Sequence, residues 1–257
     1  MNLDLPTEAA VGYKSRSQIA RVLTEGWTEK NMYCPACTSN YLHNVKPGTE
    51  AIDFICYDCN AAFQLKATRK SIGRKIVDAA YDAMIRAILE DRLPHLFLLS
   101  YCYTKATVKD LLLIPKFCIP QSSIERRTPL RSTARRAGWV GCNILLDLVP
   151  PEARVNIIHS SNIVPKSTVR ACFRRLQPLK DLSSKRRGWT LDVLTVLRNL
   201  DKKQFTIDDA YSFEDILSQR HPENRHIKPK IRQQLQILRD MGYLQFVRRG
   251  QYRWIER

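Results

Sequence analysis

The sequence predicts an α/β fold, an α+β mixed-sheet domain over residues 1–182, followed by a small helical domain closed by a β-hairpin over residues 183–257. Three observations carry this. Alternating and continuous apolar runs interleave with amphipathic stretches through the first part of the chain. Two C-x2-C pairs sit among those runs, which puts a knuckled insertion inside the first domain. Past the basic segment Ser183-Ser184-Lys185-Arg186-Arg187-Gly188, read as a linker, the pattern changes to three helical stretches and two alternating strands.

Taken in order, Ser17 to Trp27 reads as a helix with Ile19, Val22 and Leu23 on one face. Ala51–Ile55 and Ala62–Lys66 alternate as two short strands joined through the second cysteine knuckle. Residues 71–90 read as one amphipathic helix, with Ile72, Ile76, Ala80, Met84, Ala87 and Ile88 at helical spacing. The runs His95–Ser100, Leu111–Ile114 and Val155–Ile158 have the continuous apolar character of buried central strands. Beyond the linker, Thr190 is placed to cap a helix carrying Leu191, Leu194 and Leu197. Phe205-Thr206 precedes a second helix with Ile207, Ala210, Tyr211 and Phe213. A third opens near Pro229 and carries Ile231, Leu235, Leu238 and Met241, with Gly242 as its stop. Tyr243–Val247 and Tyr252–Ile255 form a hairpin around Arg248-Arg249-Gly250-Gln251. Three helices and a hairpin make a winged helix-turn-helix, a DNA-binding architecture.

The composition agrees. The 257 residues carry 42 Lys+Arg against 25 Asp+Glu, a formal charge of +17, with 44% hydrophobic residues. That apolar content excludes disorder as the main state, and no apolar run is long enough to span a membrane. The start, MNLDLPTEAA, has no basic-then-apolar leader, so the cytoplasm of a bacterial-type cell is the expected compartment. So large a positive surplus points to a polyanion such as nucleic acid, with a basic protein lacking any such partner as the bland alternative. Residues 183–257 hold 16 basic against 9 acidic residues, a surplus of 7, and the first 182 residues carry the remaining surplus of 10.

Cys34, Cys37, Cys56 and Cys59 form C-x2-C, 18 residues, C-x2-C. Two knuckles of this kind supply four thiolates to one tetrahedral zinc, and four protein ligands leave no open position, so the expected role is structural. A disulfide pairing is the competing reading, disfavoured in a reducing compartment. Cys102, Cys118, Cys142 and Cys172 lie singly among apolar neighbours and read as buried thiols.

Asp53 precedes Gln64-Leu65-Lys66 by eleven residues, with the second knuckle as the turn between. Gln64 and Lys66 are two apart on one strand and share a face. A carboxylate and a second oxygen ligand suit Mg²⁺, and a lysine alongside can orient the attacking water and offset charge on a phosphate. The expected catalytic set is Asp53, Gln64 and Lys66, with Mg²⁺ held by Asp53, the Gln64 oxygen and the Leu65 carbonyl. This is the layout of the PD-(D/E)XK nucleases, except that Gln64 stands where an acid is usual. An amide oxygen still ligates Mg²⁺ but brings no charge, so metal affinity should fall.

Arg135-Arg136-Ala137-Gly138-Trp139-Val140-Gly141-Cys142-Asn143-Ile144 and the segment from Lys230 to Asp240, with the two C-x2-C pairs and Asp53…Leu65-Lys66, closely resemble the DpnI-like family of methyladenine-dependent type II restriction endonucleases. The resemblance runs from Tyr13-Lys14-Ser15 to the C-terminal hairpin. It implies a zinc-bearing PD-(D/E)XK nuclease domain and a winged helix that also reads methylated DNA. The implied activity is cleavage of both strands at GATC carrying N6-methylated adenine, in restriction of methylated foreign DNA. Asp53 and Lys66 carry over directly, whereas the family has Glu at the position of Gln64.

A methylated adenine presents an apolar group in the major groove, so its reader needs an apolar or aromatic surface there. Trp139, flanked by Arg135 and Arg136, is the candidate in the first domain, and a core tryptophan is the bland alternative. In the third helix of the winged domain Lys230, Arg232, Gln233 and Gln236 face outward. Arg232 and Gln233 suit guanine and adenine edges, and a solvated helix face is their bland reading. Arg248, Arg249 and Arg253 on the hairpin suit phosphate. Trp189 and Trp254 read as core. The expected partner is double-stranded DNA containing N6-methyladenine, bound by a chain that is a monomer in solution and touches no membrane. The rival readings are a methylated-DNA-binding protein whose nuclease site has decayed at Gln64, and a transcription regulator built on the winged helix.

Overall fold

The computed structural model describes residues 1–46 and 51–255. Helix α1 (Arg16–Asn31) follows a short 3-10 turn and buries Leu23 and Trp27. Strands β1 (His43–Asn44), β2 (Phe54–Ile55) and β3 (Ala62–Thr68) come next, then β4 (Lys75–Ala80), α2 (Tyr81–Leu89), β5 (His95–Cys102) and β6 (Thr107–Ile114). The chain continues through β7 (Ile124–Arg126), β8 (Gly141–Leu145), β9 (Val155–His159), β10 (Asn162–Ile163) and α3 (Lys166–Leu176). It ends with α4 (Ser184–Arg198), β11 (Gln204–Thr206), α5 (Ile207–Tyr211), α6 (Glu214–Arg220), α7 (Ile227–Asp240), β12 (Leu244–Arg248) and β13 (Gln251–Trp254).

These elements form two compact units. The first comprises residues 1–74, 92–116 and 152–177, and the second residues 75–91, 117–151 and 178–257. The first unit is built on a mixed sheet in the order β1-β2-β3-β5-β6-β9-β10. Its one parallel pair is β3 with β5, and the remaining pairs are antiparallel. The apolar run of β5 is buried from His95 to Tyr101, as a strand covered on both faces must be. Phe63 of β3 stacks on Phe97 of β5 with ring centroids 4.9 Å apart. Helix α3 seals this sheet with Val169, Phe173 and Leu176.

The second unit holds an antiparallel sheet β4-β8-β7, the four helices α4 to α7, and a wing in the order β11-β13-β12. The wing therefore has three strands, the short β11 pairing Phe205 with Tyr252.

Several sequence expectations change. The helix expected over 71–90 is a strand followed by a shorter helix. Ile76 and Ala80 fit a two-residue repeat as well as a helical one, and pairing with β8 decides between them: Ile76 lies opposite Ile144 and Val77 opposite Asn143. The linker expected at 183–188 is the first turn of α4, which begins after Ser183, a residue that makes no side-chain cap, and not at Thr190. Thr190 is buried in mid-helix, where its hydroxyl donates to the Arg186 carbonyl at 2.9 Å and bonds the Gln234 side chain at 2.8 Å. The helix expected to reach Phe213 stops at Tyr211, and α6 follows it as a separate element. Cys118 and Cys142 are buried, but Cys102 is partly exposed and Cys172 exposed. On α3 the buried stripe passes through Val169, Phe173 and Leu176, one position away from Cys172.

Candidate functional site

The cysteine knuckles are the most sharply defined constellation. Cys34, Cys37, Cys56 and Cys59 place their four sulfurs within 4.8 Å of one another. Cys34 and Cys59 are 3.6 Å apart, as are Cys37 and Cys56. A zinc with Zn–S bonds of about 2.3 Å needs tetrahedral sulfur–sulfur edges of about 3.8 Å, so the cluster fits that ion. The Cys37 sulfur accepts the Ser39 N–H at 3.4 Å, and the backbones of Ala36, Asp58 and Ala61 act to lower the Cys34, Cys56 and Cys59 thiols. Such donors favour thiolate over thiol. Burial pushes the Cys34 thiol far above its ordinary range and the Cys59 thiol up to about 11, a cost that a bound cation offsets.

The second knuckle turns at Asn60, which has φ +57°, and closes with the Cys56 N–H on the Ala61 carbonyl at 2.9 Å. The first knuckle is held from α3, where Arg170 donates to the carbonyls of Cys34 and Ser39 at 3.2 and 2.7 Å. Tyr33 lies beneath, 1% exposed, with burial pushing its hydroxyl up to about 12 and Lys166 and Arg170 over its ring.

The second knuckle is the connection between β2 and β3, and the nuclease-like residues lie just beyond its two ends. The pairing of Phe54 with Phe63 continues one step through the Asp53 N–H to the Phe63 carbonyl, 2.9 Å, which sets Asp53 opposite Gln64. The Asp53 Oδ2 accepts the Leu65 N–H at 2.7 Å. Gln64 and Lys66 project from one face of β3, in register with Leu96 and Leu98 of β5. The structure thus brings Asp53, Gln64, Leu65 and Lys66 together in the first unit. The composition of this set suits a hard cation: one oxygen of the Asp53 carboxylate is fixed by a backbone donor, the other carries its share of the negative charge, and the Gln64 and Leu65 oxygens are neutral. On α1, Arg21 donates to Glu25 at 2.9 Å, and its guanidinium is raised above the usual range first by Glu25 and to a lesser extent by the charge of Asp53. No spacing in the sequence marks Arg21 as a neighbour of Asp53.

The expected DNA-facing residues all fall in the second unit. Between β7 and β8, the loop carrying Arg135, Arg136 and Trp139 is an ordered extension of the hairpin. The Leu130 N–H bonds the Trp139 carbonyl at 2.9 Å, and the Gly138 N–H bonds the Leu130 carbonyl at 3.0 Å. Trp139 is neither core nor fully open: it is half-buried, with the Arg136 guanidinium 4.8 Å from its ring centroid. Its ring folds over Gly141, where a Cβ would sit 2.7 Å from two ring carbons. Arg126, Arg127 and Arg131 are exposed on the same hairpin, and from 126 to 140 there is no acidic residue. Arg135 and Arg136 flank Trp139 in sequence, and Arg126, Arg127 and Arg131 belong to the same acid-free basic run.

On α7, Ile231, Gln234, Leu235 and Leu238 are buried, while Arg232, Gln233 and Gln236 are exposed and Lys230 half-buried. Lys230 donates to the Gln233 side chain at 2.7 Å, and burial followed by the charges of Arg186 and Lys185 lowers its ammonium pKa. Arg248 and Arg249 are exposed at the wing tip, with Arg248 donating to Gln251 at 2.8 Å. Trp189 and Trp254 are core residues, 1% and 8% exposed. Among the described residues, no helix is long and apolar enough to cross a membrane.

Comparison with protein-family models gives two matches that together span nearly the whole chain. Residues 1–182 match the DpnI model, described as the Dam-replacing family, and residues 185–254 match DpnI_C, the Dam-replacing HTH domain. The first covers the four-cysteine cluster and the Asp53–Lys66 strands, and the second covers α4 to α7 and the wing. With more than half of its length matched, the chain belongs to the DpnI, or Dam-replacing, family of methylation-dependent restriction enzymes, and it carries that family's DNA-binding helix-turn-helix domain at its C-terminal end.

Proposed function

We propose that the protein is an Mg²⁺-dependent type II restriction endonuclease of the PD-(D/E)XK class that cuts double-stranded DNA at GATC with N6-methylated adenine. The observation that carries the nuclease assignment is the Asp53 carboxylate, fixed by the Leu65 N–H on the strand that bears Gln64 and Lys66. Asp53, the Gln64 amide oxygen and the Leu65 carbonyl are the residues that would hold Mg²⁺. The ion would supply charge neutralisation at the phosphate and a more acidic water. The rest falls to the chain. The Leu65 N–H keeps one Asp53 oxygen engaged and so orients the other, and the Lys66 ammonium orients the attacking water and offsets charge building on the phosphate. Zinc at the four cysteines would hold the β2–β3 turn, and with it the register that sets Asp53 opposite Gln64.

Reading of the methyl group is assigned to Trp139, whose ring is held over Gly141 with the Arg136 guanidinium beside it, and Arg135 is assigned to DNA contact from the same loop. Arg232 and Gln233 of α7 are assigned to base edges, and Lys230, Gln236, Arg248 and Arg249 to the surrounding polar and phosphate contacts. The functional division is placed at 182/183, nuclease before and winged helix after, in a chain acting as a monomer before it meets DNA.

A second reading, a methylated-DNA-binding protein without cleavage, is favoured by one observation alone, the uncharged Gln64. Incubation with fully methylated and unmethylated GATC plasmids, in Mg²⁺ and in Mn²⁺, separates the two. Cutting of the methylated plasmid alone is expected. Binding without nicking in either metal selects the second reading, and cutting regardless of methylation removes the methyl-reading assignment.

A further inference from the structure

Tyr211 lies outside the metal-binding, catalytic and DNA-contacting sets described above, yet its hydroxyl bonds the proposed guanine reader, Arg232. It is the last residue of α5, a five-residue helix whose start is fixed by a capping box: the Thr206 hydroxyl accepts the Asp209 N–H, and the Asp209 carboxylate accepts the Thr206 N–H. The Tyr211 hydroxyl accepts the Nε–H of Arg232 from α7. The Arg232 guanidinium carbon lies 5.4 Å from the centroid of the same ring, and the Lys228 ammonium 5.6 Å from it. Lys228 is itself tied to Glu214 at 3.2 Å.

A guanidinium is a planar fork of five N–H donors. With its Nε–H committed to Tyr211, the edge made by the two terminal nitrogens remains. Two parallel donors of that kind match the O6 and N7 acceptors that guanine shows in the major groove. Arg232 is exposed on α7 between the buried Ile231 and Gln234. Its neighbour Gln233 has its amide oxygen already engaged by Lys230 at 2.7 Å. Gln233 keeps its amide N–H donors but has its acceptor occupied, so of the two side chains assigned to base edges Arg232 is the one that keeps a complete two-point recognition edge after its internal bond is made.

We infer that Tyr211 is a positioning residue for base readout: it fixes the Arg232 guanidinium so that the two terminal amino groups meet a guanine edge of the methylated site. The inference rests on the reading that α7 enters the major groove. Tyr211 acts through geometry and not through charge, which gives it a signature different from that of a phosphate contact.

The test is a binding measurement on the full-length protein without added Mg²⁺, in a Trp139→Ala background that leaves the winged helix as the reader of the site. The duplexes are a methylated GATC site and the same site with 7-deazaguanine, which lacks the N7 acceptor. Loss of one bond of a bidentate pair should weaken binding about 5- to 10-fold. Adding Tyr211→Phe, which keeps the ring and removes the acceptor, should reduce that preference to under about twofold while the slope of log K against log salt stays the same. Arg232→Lys should do likewise, because it keeps the charge and loses the fork. A merely structural role for Tyr211 would weaken both duplexes equally and leave the preference intact, which overturns the inference. So would a fall in the salt slope for Tyr211→Phe. If Arg232→Ala abolishes the guanine preference and Tyr211→Phe does not, only the positioning role falls. If Arg232→Ala leaves the preference in place, the base-reading role of α7 falls with it.

Discussion

Gln64 occupies the strand position opposite Asp53, where an acid would double the negative charge offered to a divalent ion in the proposed site. Gln64→Glu should therefore lower the Mg²⁺ concentration needed for half-maximal cleavage, by about tenfold if the added charge contributes about 1.4 kcal/mol at the ion. A metal titration of cleavage by both proteins checks this, and coincident titrations would remove Gln64 from the ligand set. Gly141 is the second residue with a sharp consequence. Because a Cβ there would meet the Trp139 ring at 2.7 Å, Gly141→Ala should displace the indole from its seat. The expected result is a reduced binding preference for methylated over unmethylated duplex, with little change in salt dependence, since no charge is altered. Both residues are plain in the sequence. What each one faces is not, because strand register and the fold of the hairpin loop bring the partners together.

Among the elements, the β2–β3 hairpin and α5 are each held by a local device. Four cysteine sulfurs within 4.8 Å of one another close the first, and with zinc at the proposed site Cys56→Ser should cost one equivalent of bound zinc, with nuclease activity lost in parallel as the β2–β3 register loosens. Zinc stoichiometry measured beside cleavage rate checks this, and full activity in a zinc-free variant would show that the knuckle does not support the site. The device at α5 is the Thr206–Asp209 capping box. The Lys202 ammonium first, then the Thr206 N–H and hydroxyl, hold the Asp209 carboxyl down to about 2. A carboxylate with a depressed folded value contributes stability that is present above its ordinary value near 3.8 and is lost as pH falls through about 2. Melting temperature followed from pH 5 to pH 2 should fall less steeply in Asp209→Asn than in the parent. Two of the element boundaries follow from such local signals, the spaced cysteines and the Thr-x-x-Asp. Strand β4 does not: its residues satisfy a helical and a strand repeat alike, and only its pairing with β8 separates the two.

In the molecule as a whole, the polar interior of the second unit joins parts of the chain far apart in sequence. Asp192 of α4 is buried and accepts from Ser122 at 2.5 Å, from Arg220 at 3.2 Å and from His221 at 2.9 Å. His221 in turn stacks on Trp189 with ring centroids 3.7 Å apart. Removing the carboxylate leaves a largely buried arginine without its charge partner, so Asp192→Ala should destabilise the fold by about 3 kcal/mol. Denaturant unfolding monitored at tryptophan checks this, and a loss below about 1 kcal/mol would mean that water replaces the carboxylate. Asp192 has no sequence signature, because nothing in a helical repeat distinguishes a buried aspartate from an exposed one. The spaced cysteines that come together in one cluster, the nuclease-like triplet, the excess positive charge and the winged helix are legible in the chain alone, since each is written in spacing or composition over a short stretch. Tertiary structure alone decided that 75–91 and 117–151 cluster with the C-terminal helices, that Asp53 meets the Leu65 N–H, and that Arg232 is held by Tyr211. Those contacts join residues 12 to more than 100 positions apart, and the free energy that selects them comes from pairing and burial that no local window of sequence contains.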